Sequence, residues 1–131
     1  MKQPLPRWMV TQDHDHTTGS KRHELRIAFE LGGRRLPRSG GTRRSRWDPD
    51  RSQGGDVETE NLLAECKHTK QSAFRLDREV FAKVEDGARR RGKLPVIVLT
   101  FESHEGPLDL ALLRFVDLRR LLEKRRAEEA R

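Results

Sequence analysis

Residues 55–70 read Gly-Asp-Val-Glu-Thr-Glu-Asn-Leu-Leu-Ala-Glu-Cys-Lys-His-Thr-Lys, and the alternation in this stretch decides the fold. Its period of two over residues 56–68 predicts a β-hairpin, with Val57, Thr59, Leu62, Ala64 and Cys66 on the core face. A turn at Glu60-Asn61 sets Thr59 opposite Leu62, Glu58 opposite Leu63, Val57 opposite Ala64 and Asp56 opposite Glu65. Two acids then face each other with Cβ atoms about 5 Å apart, which is repulsive unless something positive lies between them. Lys67, two residues beyond Glu65, shares that face about 7 Å further along the strand. One face packs and the other is free for chemistry.

Upstream, Ser20 can cap a helix that carries Leu25, Ile27, Ala28, Phe29 and Leu31 and stops at Gly32-Gly33. Within it Glu24 stacks with Ile27, Ala28 and Leu31, so it turns toward the sheet, where an acid needs a partner. The bland alternative is a surface acid paired with Arg22 or Arg26. Residues 34–37 read as a short extended piece and residues 38–55 as a long basic loop rich in Arg, Ser, Gly and Pro. Residues 1–19 have no clear period and read as an arm. Its Asp13-His14-Asp15-His16 run has metal-like composition, but a flexible polar arm is the better reading.

Downstream, Phe74, Phe81, Val84 and Ala88 mark an amphipathic helix over residues 74–92. Residues 95–101 form a continuous apolar run, the pattern of a central strand covered on both faces. Residues 110–116 supply a further strand after a turn at 104–107, and Asp117 caps a final helix through Leu118, Leu121 and Leu122, with residues 123–131 a frayed helical tail. The order is helix, hairpin, helix, strand, strand, helix: an α/β fold with a central mixed β-sheet flanked by helices.

Composition narrows the chemistry. The chain has 131 residues, of which 37% are charged and 33% hydrophobic, enough for one core and no second. Lys and Arg number 28 against 21 Asp and Glu, a net charge of +7 that anticipates a polyanionic partner. One cysteine excludes an internal disulfide framework and a Cys-rich zinc site. No apolar run approaches the ~20 residues of a membrane span and no signal-peptide core is present, so the expectation is a soluble protein of the cytoplasm, a host's cytoplasm if it is viral. Two carboxylates at hairpin spacing suit Mg²⁺, a hard ion that keeps several waters and takes further oxygens from a phosphate. With Lys67 alongside, the chemistry is hydrolysis of a nucleic-acid backbone.

Gly19-Ser20 leading to Glu24, Arg38-Ser39-Gly40-Gly41, Gly55-Asp56 and the string from Leu62 through Glu65-Cys66-Lys67-His68-Thr69-Lys70 together resemble the PD-(D/E)xK nuclease superfamily, and within it the archaeal-type Holliday junction resolvases. The resemblance covers roughly residues 19–122. It implies a restriction-endonuclease-like core over residues 20–122, with Mg²⁺, or Mn²⁺ in its place, held by Asp56, Glu65 and the backbone carbonyl of Cys66. Glu24 would be a further catalytic acid and possible metal ligand, and Lys67 would stand beside the attacking water. It also implies a homodimer that makes paired symmetric nicks in branched DNA, the four-way junction, with Ser39 near the scissile phosphate. Gly55 stands where the family often has proline, and the spacing from Gly-Ser to Glu24 is one residue longer than usual. Arg34, Arg35, Arg38, Arg43, Arg44 and Arg46, with Ser39 and Lys70, form the expected DNA-binding surface. Two other readings stay open: a restriction or repair nuclease of the same superfamily, and a non-catalytic basic DNA-binding protein.

Overall fold

A computed structural model describes residues 19–36 and 55–131 of the chain. In order these form α1 (Gly19–Leu31), β1 (Arg34–Arg35), β2 (Val57–Glu58), β3 (Leu62–Thr69), α2 (Arg78–Arg91), β4 (Leu94–Phe101), β5 (Leu108–Leu112) and α3 (Phe115–Glu129). The strands build one mixed sheet in the order β1-β2-β3-β4-β5. Only β3 and β4 run parallel, joined by α2 as the crossover; β1–β2, β2–β3 and β4–β5 are antiparallel. The α/β class and the mixed sheet with helices are therefore as the sequence pattern predicts. Among the described residues no helix is long and apolar enough to cross a membrane.

The hairpin register is also as expected where it is paired: Val57 opposes Ala64 and Glu58 opposes Leu63. Thr59 closes the turn by donating its backbone N–H to the Leu62 carbonyl at 2.9 Å. Its hydroxyl accepts from the Leu62 amide at 3.0 Å, so Thr59 serves the turn and not the core. The larger correction concerns β3. Val57, Ala64, Cys66, Val96 and Val98 pack with Ile27 and Ala28 of α1, while Leu63 and Ile97 pack with Val84 and Ala88 of α2 and with Leu36. Both faces of the strand are covered at its start, and Glu65 and Lys67 follow Leu63 along the second face as partly exposed residues.

Helix ends explain the remaining departures. α1 stops as predicted: Gly32 takes φ 69°, and the amides of Gly32 and Gly33 bond the carbonyls of Phe29 at 3.1 Å and Ala28 at 2.8 Å. α2 begins four residues later than its apolar spacing implies, because Asp77 takes the extended N-cap position while its carboxylate binds Arg75 at 3.2 Å. Phe74 precedes the helix. β5 ends at Leu112, not Val116, and Arg114, not Asp117, stands at the N-cap of α3. Asp117 instead lies in the first turn, where Arg114 grips it at 2.6 and 3.1 Å. The tail expected to fray is helical to Glu129, helped by an Arg125–Glu129 pair at 3.1 Å.

Of the described glycines Gly33 has the least room, since a Cβ there would lie 2.3 Å from the Glu58 carbonyl oxygen and 3.0 Å from its carbon. Backbone cannot yield as a side chain does. Gly33→Ala is therefore expected to cost about 1–3 kcal/mol of stability, read as a lower urea midpoint at unchanged slope.

Candidate catalytic site

Asp56 sits where the chain enters β2, and main-chain bonds fix it there. Its amide donates to the Ala64 carbonyl at 2.8 Å, and its own carbonyl accepts from the Leu36 amide at 2.7 Å. Its carboxylate accepts the Cys66 amide at 2.9 Å, and the residue is 7% exposed. The residue before it is glycine for a packing reason: a Cβ at Gly55 would meet Leu63 Cγ at 2.7 Å and the Ala64 carbonyl oxygen at 3.1 Å. That contact accounts for the absence of proline at this position.

The carboxyls of Asp56 and Glu65 feel each other. Burial first, then the Glu65 charge, pushes the Asp56 carboxyl up to about 7, against the opposing hydrogen bond from the Cys66 amide; Glu24 pushes it further and Lys67 counteracts. Lys67 Nζ lies 3.3 Å from Glu65 Oε1, with that carboxylate 15% exposed and the ammonium 34%. Glu24, on the buried face of α1, accepts a bond of 2.6 Å from Arg35 Nε. Arg35 of β1, an element outside its own helix, is thus a partner of Glu24. The Cys66 thiol is buried and pushed far above the ordinary range, by desolvation and then by Asp56, so it is no thiolate nucleophile.

The structure therefore brings Asp56, Glu65, Lys67 and Glu24 into one electrostatic neighbourhood. Among the described residues no group of three or more His, Cys, Asp or Glu is arranged to hold a metal ion. Asp56 and Glu65 are the two carboxylates here that could hold an ion. Mutual repulsion of two acids in a poorly solvated place fits one divalent cation that retains its own waters. Glu24, engaged by Arg35, is better placed to shape the field at Asp56 than to be a ligand.

The basic residues divide. Arg34 pairs with Glu58 through Nε at 2.9 Å and also through Nη2, yet its side chain stays 69% exposed. Arg35 is held by Glu24, and Lys70 is exposed just past the end of β3. Arg38, Ser39, Arg43, Arg44 and Arg46 lie outside the described residues.

Two polar networks escape the sequence pattern. Glu58 is buried instead of facing outward, and it collects Arg34, Arg91 at 2.8 Å and Lys93 at 3.3 Å. His23 is buried on α1, with Nε2 2.7 Å from the Thr100 hydroxyl. Thr100 donates to Asp109 at 2.6 Å, and Arg26 grips Asp109 through two bonds of 2.9 and 2.7 Å. Burial, then the nearby His68 and Arg26, lowers His23 to about 4, while its Nδ1 is buried without a hydrogen-bond partner among the described residues. Nothing in the spacing of Arg26, Thr100 and Asp109 signals that a helix and two strands will meet there. No family model matches the chain, and no curated protein matches it.

Proposed function

We propose that the protein is a metal-dependent endonuclease that resolves four-way DNA junctions as a homodimer, acting in the cytoplasm. The observation that carries this reading is Asp56: a residue fixed by three main-chain bonds, one of them to its carboxylate, with that carboxyl raised by burial and by Glu65 and a lysine tethered beside the second acid. A structural carboxylate has no need of such an arrangement, whereas an ion site does.

Asp56 and Glu65 would hold Mg²⁺ or Mn²⁺, with the Cys66 carbonyl adding a main-chain donor. The bound ion would supply Lewis-acid polarisation of the scissile phosphate. Lys67, fixed by Glu65, donates to the attacking water or to a phosphate oxygen as charge develops there. Glu24 keeps the neighbourhood acidic while Arg35 holds it in place. The net charge of +7 draws the polyanion in, with the exposed part of Arg34, Lys70 and the arginines of residues 38–46 as its contacts.

The test is cleavage of a labelled four-way junction beside linear duplex and single strand, with Mg²⁺ or EDTA, by wild type and Glu65→Gln. Paired symmetric nicks in the junction alone are expected, lost with EDTA and in the variant while binding persists. Junction binding without cutting in either Mg²⁺ or Mn²⁺ would overturn the enzyme reading in favour of a binding protein. Cutting of linear duplex would favour a restriction or repair nuclease.

A further inference from the structure

Glu58 has more counter-charge around it than one carboxylate requires. Arg34 bonds its Oε1 through Nε at 2.9 Å and also through Nη2. Its Oε2 lies 2.8 Å from Arg91 Nη1 and 3.3 Å from Lys93 Nζ. The Glu58 side chain is 9% exposed, so its single negative charge is spent among three cations. Arg89 and Arg90, by contrast, are offset by Asp86 on their own helix. The Glu58 cluster therefore keeps a surplus of two positive charges in a partly buried place, where an anion is held more strongly than in water.

A cavity opens beside this surplus. Among the described residues Gly32, Gly33, Arg34, Glu58, Glu60 and Lys93 line it, and its volume of about 360 Å³ falls within the ~300–1,000 Å³ of small-molecule pockets. Arg91 counters Glu58, and Arg34 and Lys93 bring the charge left over to the cavity wall. Lys93 also donates to the Thr59 carbonyl, which fixes its ammonium there. A Cβ at Gly32 would meet nothing within 4 Å, and no side chain rises from Gly32 or Gly33 to close the wall they form. The remaining lining group is Glu60, exposed on the turn between β2 and β3. A carboxylate there repels a bare anion but accepts from hydroxyls, as acids do from ribose in dinucleotide sites. The lining thus suits a ligand with one anionic end and one hydroxyl-bearing end.

We propose that this cavity binds a small phosphate monoester, its phosphate on Arg34 and Lys93 and its sugar-like hydroxyls on Glu60. A phosphate monoester carries roughly −1.5 to −2 at pH 7, which matches the surplus. A DNA backbone carries one charge per phosphate and has no free hydroxyl along the chain to offer Glu60. The site uses none of Asp56, Glu65 and Lys67 and stands independently of the nuclease reading.

Isothermal titration calorimetry of the full chain with ribose 5-phosphate at pH 7.5 is expected to give a dissociation constant below about 1 mM, with inorganic phosphate about fivefold weaker or more. Lys93→Met should weaken ribose 5-phosphate by about tenfold or more, because Glu58 keeps Arg34 and Arg91 while the ligand loses a cation. Glu60→Ala should erase the advantage over inorganic phosphate. Arg34→Gln, at a side chain 69% exposed, replaces Lys93→Met if urea denaturation shows the latter to be misfolded. No heat from ribose 5-phosphate at about 10 mM, ten times the expected constant, equal affinity for the two probes, or binding that both cation variants leave intact would each overturn the proposal. Lys93-dependent binding of a DNA duplex with none of ribose 5-phosphate would overturn it in favour of a phosphodiester site. None of these readouts involves cleavage, so this site and the nuclease reading fail separately.

Discussion

Asp56→Asn is expected to make the protein more stable as it makes it inactive. Cleavage in Mg²⁺ should fall on the order of a thousandfold, as when a group aimed at developing charge is lost. At pH 7.5 the melting temperature should nevertheless rise, because ionising Asp56 in its buried place beside Glu65 opposes folding. The folded carboxyl, raised to about 7 from 3.8, contributes stability that is fully present below pH 3.8 and lost as pH rises through 7. An asparagine oxygen still accepts the Cys66 amide, and its NH₂ group can donate to Glu65. The gain should be roughly 2–4 kcal/mol above pH 7, or about 5–10 °C.

His23 has the opposite sign. Lowered from 6.5 to about 4, it contributes stability that is present above pH 6.5 and lost as pH falls through 4. In wild type the two slopes oppose each other between pH 4 and 6.5, which flattens the profile. In Asp56→Asn the His23 slope is unopposed, so that variant should lose roughly 3 kcal/mol on acidification over this window. Calorimetry from pH 4 to 8 reads both curves. Mg²⁺ adds a further discriminator, since an ion that binds only the folded wild type raises its melting temperature and leaves the variant unmoved. A variant no more stable than wild type at pH 7.5 would sink the electrostatic account of Asp56.

The residues that were legible in the sequence are those whose surroundings follow from local periodicity. Val57, Ala64 and Cys66 alternate with acids and lysine, so the register and the proximity of Asp56 to Glu65 could be read directly. The same rule misplaced Glu58 and Leu63. Alternation assumes one dry face and one wet face, and at the start of β3 the crossover helix α2 dries the second face as well. Leu63 then finds Val84 and Ala88, and Glu58 is carried inward with Arg34, Arg91 and Lys93 as its counter-charges. The apolar run through Val116 overshoots the end of β5 because it continues across a strand–helix junction set by Arg114 and Asp117, a contact between side chains three residues apart. Arg35 as a partner of Glu24 was likewise invisible, for it depends on β1 being folded back along α1 by the Gly32-Gly33 turn.

Glu58→Ala should be the most damaging single change outside the candidate site. Burial pushes the Glu58 carboxyl up, but hydrogen bonds from Arg34 and Lys93 and their charges overcome that and hold it below the ordinary range. Its side chain is 9% exposed, and those of Arg91 and Lys93 are only 20% and 18% exposed, against 69% for Arg34. Removing the carboxylate leaves Arg34 free to turn to water. Arg91 and Lys93 would lose the carboxylate they share, while Lys93 keeps its bond to the Thr59 carbonyl. The expected cost is about 3–5 kcal/mol by urea denaturation, the range for stranding buried charge. Glu58→Gln, which keeps the shape and one acceptor, should lose less, and Lys93→Met added to Glu58→Ala should restore part of the loss, because one of the two stranded charges is gone. The damage should also reach the site, since Asp56 immediately precedes β2, which is only two residues long. A loss below about 1 kcal/mol would mean that Arg91 and Lys93 escape to solvent unaided, and that the packing of Val57 and Leu63, not the charge cluster, holds β2 against β3.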